Sequence, residues 1–263
     1  MNTLTDLIEK AEINYMIDRM IAIQQREGNP EGIEIRRFGS AVAFYSKTMP
    51  WGLFNNVKGY LQEDVIDDII QFYNERDRKF EFQIIPSKVN PPVLAMLHQR
   101  SFYQSGFHTS LFAEPRAVEL KEQPNIYIRE LKEEEFETYA RVHCLGTGLS
   151  LSGQSAVAAN NHVLFQREGW RYYIAYYYDQ PAAVAVMHIE DQLASLTFAT
   201  TLPEYRRMGL QSQLLQARIN EAYHRGCRLV VGQCTYGSAS HRNMERVGMK
   251  IGYTRATWTI ASE

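Results

Sequence analysis

Cysteine is scarce and scattered in this chain: Cys144, Cys227 and Cys234 are the only three. An odd number without a CxxC pair excludes a disulfide framework and a zinc or dithiol motif, so no metal site is expected and a reducing, cytoplasmic home is. No charge sign is in excess. The formal net charge is -2 and no block of like charges occurs, which argues against nucleic acid or an anionic membrane as a bulk partner. Long apolar runs are missing too. The amino terminus "MNTLTDLIEKAEINYMIDRM" carries acids through its apolar stretch, without the basic-then-apolar order of a signal peptide, and no window approaches a membrane span. A soluble protein is therefore expected. With 263 residues, 45% hydrophobic and 22% charged, the chain has room for one large core or two smaller ones.

Periodicity supplies the elements. Helical spacing runs over 3–26 and ends at "GNPEG". "GIEIRRFG", "AVAFYSK" and "WGLFNNVKGY" read as short strands, "EDVIDDIIQFYNERDRK" as a helix and "FEFQIIP" as a strand. "NPPVLAMLHQRSFYQSGF" reads as a helix opened by prolines and closed by Gly106, followed by "HTSLFAEP". The polar, proline-bracketed stretch "EPRAVELKEQPN" marks a boundary between a domain over 1–117 and one over 125–263. Beyond it come the strand "IYIREL", the helix "KEEEFETYARVHC", the Gly/Ser-rich loop "LGTGLSLSG" and a helix over 155–167. Three strands, "RYYIAYYYD", "PAAVAVMHIE" and "LASLTFATT", follow as an antiparallel meander. After an apolar-striped helix from Leu210, the short buried strand "RLVVGQC" returns parallel to "LTFATT". A helix over 238–247 and a strand in "MKIGYTRATWTI" close the chain. Both halves repeat one element order, so an α+β fold with a mostly antiparallel sheet flanked by helices, arranged in tandem, is expected; a coincidence of α+β order is the competing reading.

"PEYRRMGLQSQLL" places two arginines and a glycine where a helix begins. A helix start offers unsatisfied N–H donors and partial positive charge, and a glycine lets an anion approach the backbone. A pyrophosphate uses several such donors at once. Solvated charges at a turn are the alternative.

The order meander, "FATTLPEYRRMGLQ", helix, buried strand and "SASHRNMERVGMKIGYTR" resembles the GNAT superfamily of acetyl-CoA-dependent N-acetyltransferases over about 126–258, with a degenerate amino-terminal copy. The superfamily's loop reads Arg or Gln, two residues, Gly, one residue, Gly or Ala. Arg206 and Gly209 match it, and Gln211 departs. The resemblance implies that acetyl-CoA is the co-substrate. Arg206, Arg207, Met208, Gly209, Leu210, Gln211 and Ser212 would hold its pyrophosphate, and Ala199, Thr200 and Thr201 its pantetheine arm along a strand edge. An N–H of Ala199 or Thr200 would face the thioester oxygen. Ser240 and Asn243 would bond the pantetheine or approach the sulfur, or else act as a helix cap and a packing residue.

Proton carriers are less clear in the sequence. The strand that often carries a glutamate in this superfamily has none, leaving Glu190, Asp191 and His188 as substitutes. The usual tyrosine position holds Met244, leaving Tyr236, Tyr253 and Cys234. Of these, Glu190, Tyr236 and Tyr253 are taken as the catalytic candidates. The tyrosines of "WRYYIAYYYD" either form core or line an acceptor cleft. The expected activity is transfer of acetyl to a primary amine, on a small molecule or a peptide, by direct attack in a ternary complex; self-association as a homodimer stays open. An acyl-CoA sensor without turnover is the alternative, and a purely structural tandem the third.

Overall fold

A computed structural model describes residues 3–49, 52–117 and 123–261. In chain order they form α1 (Leu4–Gln24), β1 (Glu34–Phe38), β2 (Ala41–Tyr45), β3 (Asn56–Gly59), α2 (Ile66–Asn74), β4 (Glu81–Ile84), α3 (Pro91–Gln99) and β5 (Phe102–Ala113). There follow β6 (Ile126–Glu130), α4 (Phe136–Thr147), α5 (Gln154–Phe165), β7 (Trp170–Tyr177), β8 (Gln180–Glu190), β9 (Leu193–Thr201), α6 (Leu210–His224), β10 (Leu229–Cys234), α7 (Ala239–Arg246) and β11 (Lys250–Ile260). The mixed, mostly antiparallel fold flanked by helices is the one expected. Among the described residues, no helix is long and apolar enough to cross a membrane.

Two differences are local. The helix opened by Pro91 stops at Gln99, and of the residues expected to extend it to Gly106 those from Phe102 on lie in β5. Phe102 is buried in the core as a strand residue, so tertiary pairing outweighs a helical spacing that the sequence also permits. The Gly/Ser loop is shorter than expected, because α4 continues through Leu145, Gly146 and Thr147 before Gly148 ends it in a left-handed conformation, φ 78°.

The chain divides into two compact units, one running to Ser110 and resuming at Ile251, the other Leu111–Lys250. The division differs from 1–117 and 125–263 in the closing strands: β11 from Ile251 is grouped with the first unit, and the end of β5 with the second. Of the boundary stretch, residues 118–122 lie outside the described residues.

In the first unit β1, β2 and β3 pair antiparallel, β3 pairs parallel with β4, and β4 pairs antiparallel with β11. Its core is aromatic: Tyr73 stacks on Phe80 with ring centroids 3.9 Å apart, and its hydroxyl donates to the Phe44 carbonyl at 2.7 Å. α1 starts with a capping box, in which Thr3 and Asp6 each accept the other's backbone N–H. Further along its buried face stands Glu12. Its carboxylate accepts from Arg255 of β11 at 2.5 Å and from the Ser110 hydroxyl, and lies 3.8 Å from the Lys58 ammonium. Burial, and then the neighbouring Arg255 charge, push Lys58 down to about 7. The Lys58 ammonium donates to Gln83 Oε1 at 2.7 Å, bridging β3 and β4.

In the second unit β6, β7, β8 and β9 form the antiparallel meander, and β10 pairs parallel with β9. Alanines 182, 183 and 185 of β8 let α6 approach closely, so Leu210, Leu214, Leu215 and Ile219 fill the core above them. Helices α4 and α5 pack on each other, and α4 lies on β8 and β9. Side chains alternate along β9, so Ala199 joins the α6 side while Phe198 and Thr200 meet α4.

Removing one partner of a buried ion pair strands the other charge. Glu12→Gln is expected to lower stability by about 3 kcal/mol, read as a fall in the urea midpoint; an unchanged midpoint would show that Arg255 and Lys58 are satisfied without it.

Candidate functional site

The site begins where β9 and β10 part. They pair only from Leu193↔Leu229 to Leu196↔Gly232, whereas β9 stays paired with β8 as far as Ala183↔Thr201. Between His188↔Ser195 and Val186↔Phe198, β9 spends three steps against two on β8, a β-bulge at the point of parting. Beyond it, among the described residues, no strand faces the second edge of β9. Which groups line that edge follows from the ladder. The Leu202 N–H donates to Ala182 across β8 at 2.9 Å, and every second residue of an antiparallel strand directs both its N–H and its C=O to the same neighbour. Thr200 and Phe198 therefore face β8, and Ala199 and Thr201 present their N–H and C=O to the open edge.

The chain then turns through Pro203–Tyr205 into α6. Arg207 and Gly209 have φ of 68° and 89°, and Gly209 is an N-cap without a side-chain cap. The Gln213 N–H bonds the Gly209 carbonyl at 3.1 Å, so the amides of Leu210, Gln211 and Ser212 precede the first helical bond and point out of the helix start. A Cβ on Gly209 would come within 3.2 Å of Gln123 Oε1, so the position is crowded as well as left-handed. Of the twelve residues assigned to the cofactor, eleven line one open cleft of about 670 Å³, all but Met208, and Tyr205, Ala239, Arg242 and Arg246 complete it. A left-handed glycine, three outward amides and three arginines (Arg207, Arg242, Arg246) fit a phosphate-bearing ligand.

The match to known families agrees with this geometry. Residues 127–249 match the model described as "Acetyltransferase (GNAT) family". That stretch is the part of the chain similar to the GNAT acetyltransferases. No curated protein matches the chain. Among solved structures, a GCN5-related N-acetyltransferase from Kribbella flavida is 17% identical, with 94% of this chain and 96% of that one covered at a TM-score of 0.66. A tandem GNAT protein from the clavulanic acid biosynthesis pathway is 12% identical, with 97% of each chain covered at 0.60. A conserved protein of unknown function from Staphylococcus epidermidis is 12% identical, with 92% and 100% covered at 0.66. The fold shared is that of a tandem GNAT protein.

Within the GNAT unit, Arg206 does not point into the cleft as a free charge. Its guanidinium donates to the Gly146 carbonyl at 2.9 Å and the Thr201 carbonyl at 3.4 Å, joining the end of α4 to the end of β9. The Gln211 side chain is held by α7. Its amide donates to Ser240 Oγ at 2.9 Å and accepts from Asn243 at 2.6 Å, tying α6 to α7, and Asn243 accepts in turn from Arg246 at 2.9 Å.

The three proton-carrier candidates lie outside the cleft lining. Glu190 pairs with Leu193 at the other end of β9, about 20 Å of strand from Ala199. Tyr236 stands exposed between β10 and α7 with its ring on His241. Tyr253 belongs to β11 and the first unit, where burial, and then the Glu12 charge, raise its hydroxyl well above its usual value. Burial likewise pushes the Cys234 thiol up to about 11, which keeps it protonated. No carboxylate is among the described residues that line the cleft.

Two residues escaped the sequence reading. His143 of α4 is buried with its ring stacked on Phe198, centroids 4.1 Å apart, and its Nδ1 3.3 Å from the Tyr139 hydroxyl. The Tyr139 and Tyr172 hydroxyls both donate to Asn161 Oδ1, at 3.2 and 3.1 Å, so part of the tyrosine run is core with its polar ends paired. Arg218 of α6 is the second, buried under β8 and β9. In sequence His143 reads as one more helix residue and Arg218 as a charge at the edge of an apolar stripe; only the packing of α4 and α6 on β9 marks them.

Gly146 faces Thr200 so closely that a Cβ there would collide with its hydroxyl and lie 2.8 Å from its Cγ2. Gly146→Ala is expected to lower stability by about 1–3 kcal/mol, and adding Thr200→Ala to recover most of that loss. Additive effects in the thermal melts of the double-mutant cycle would show that the two positions do not press on each other.

Proposed function

We propose that the GNAT unit moves the acetyl group of acetyl-CoA to a primary amine. One observation carries this reading: the open edge of β9 and the outward amides of α6 lie in a single cleft. The amides of Leu210, Gln211 and Ser212, with Arg207, hold the diphosphate. The β9 edge takes the pantetheine as an added strand through the main chain of Ala199 and Thr201. Ala199, not Thr200, presents the N–H to the thioester oxygen, because Thr200 spends its own on β8.

In the reaction the amine nitrogen bonds to the thioester carbon, and the carbon–sulfur bond breaks to release coenzyme A as its thiolate. The Ala199 N–H stabilises the negative charge that builds on oxygen. With no carboxylate in the lining, the proton lost by nitrogen goes to water, and the thiolate takes one back. Alignment in the cleft and the oxyanion donor then supply the acceleration. The amine is carried by a small molecule or a peptide. In the first unit Lys58 and Gln83 close the space between β3 and β4, and acids 63 and 64 follow; we assign cofactor binding to the second unit alone.

The same lack of a lining carboxylate favours a second reading, an acyl-CoA sensor that binds without turnover. Thiol release from acetyl-CoA with a panel of amines separates the two. Gly209→Glu puts a negative side chain on a left-handed backbone at the diphosphate site; it is expected to weaken coenzyme A binding at least about tenfold by calorimetry, with an unchanged circular dichroism spectrum. Equal affinity in that variant would refute both readings.

A further inference from the structure

Arg218 is a buried cation whose hydrogen-bond acceptors are all main-chain carbonyls. Its Nε donates to Leu214 of its own helix at 3.0 Å, and its Nη1 to Val186 of β8 at 3.1 Å and Phe198 of β9 at 3.2 Å. Val186 and Phe198 are the pair at which the ladder resumes after the bulge. Burying a guanidinium this way is costly, and burial lowers it to about 10, with Tyr173 as the charge partner opposing the shift. A neutral donor would satisfy the same carbonyls without that cost, so the charge calls for an explanation of its own.

The carbonyl of Phe198 and the N–H of Ala199 belong to one planar trans peptide and point in opposite directions. One end meets the guanidinium; the other faces the open edge of β9. A cation at the oxygen draws electron density through the peptide and makes the N–H a stronger donor, an effect that a water-free interior magnifies.

We infer that Arg218 is a positioning residue for acetyl transfer, bonding the Phe198 carbonyl so as to fix the bulge and polarise the Phe198–Ala199 peptide toward the thioester oxygen. This rests on the acetyl-CoA reading given above. It adds a charge that touches neither substrate and acts from behind the strand.

The test compares two variants of the full chain. Arg218→Lys keeps the charge; Arg218→Gln keeps a donor and loses it. The readout is the carbonyl stretch of acetyl-CoA labelled with carbon-13 at the thioester carbon, bound without amine, alongside its dissociation constant. In the wild-type protein the stretch is expected below its solution frequency. It should remain low in Arg218→Lys and return most of the way to the solution value in Arg218→Gln, with both dissociation constants within about threefold of wild type, since the phosphate-binding amides and arginines of the cleft are untouched. Equal stretches in the two variants would overturn the role of the charge, and loss of fold in both would reduce Arg218 to architecture. Should wild-type protein fail to bind acetyl-CoA, the acyltransferase reading itself falls, and this inference with it. A bound, unshifted carbonyl in the wild type leaves that reading standing and removes only Arg218.

Discussion

The site depends on a strand that loses one neighbour while keeping the other. β9 holds β8 along its length but leaves β10 after Leu196, and the extra residue at the bulge turns it away. Main-chain groups left without a ladder partner are an unmet demand, and on β9 that demand falls on a few residues ending at Thr201. The helix start at Leu210 presents a second set of unpaired amides. Together they line one cleft, with arginines at its edge.

The side chains around the cleft mostly hold that geometry. Arg206 joins the carbonyls of Gly146 and Thr201; Gln211 links the two helix starts through Ser240 and Asn243; Arg218 grips β8 and β9 from beneath. On the opposite face, Gly146 and His143 press on Thr200 and Phe198. Each of these contacts joins two elements far apart in sequence, so the open edge is framed on both faces by side chains that leave the backbone donors exposed.

The turn into α6 was legible in the sequence because it is local: a turn, a glycine needing positive φ and a helix start lie within a dozen residues. The parallel return of β10 was legible for a similar reason, since an all-apolar strand after a helix has few other places to go. Long-range register was not. Nothing local says that β9 carries a bulge, that Ala199 rather than Thr200 faces outward, or that Arg218 reaches their carbonyls. Glu190 and Tyr253 looked plausible by proximity along the chain, yet one sits at the far end of its strand and the other in a different unit. The overrun of α3 has the same origin: Phe102 fits a helical stripe, and only the sheet it enters decides otherwise.

The grouping of β11 with the first unit gives the chain an order of completion. A ribosome that has finished Ser110 has made nearly all of that unit but not the strand that pairs with β4, nor Arg255, the buried partner of Glu12. Until β11 emerges, Glu12 has to be buried without Arg255 or stay in water, so the first unit lacks both its closing strand and that ion pair. A nascent chain stalled before residue 250 therefore carries the first unit without the strand that pairs with β4.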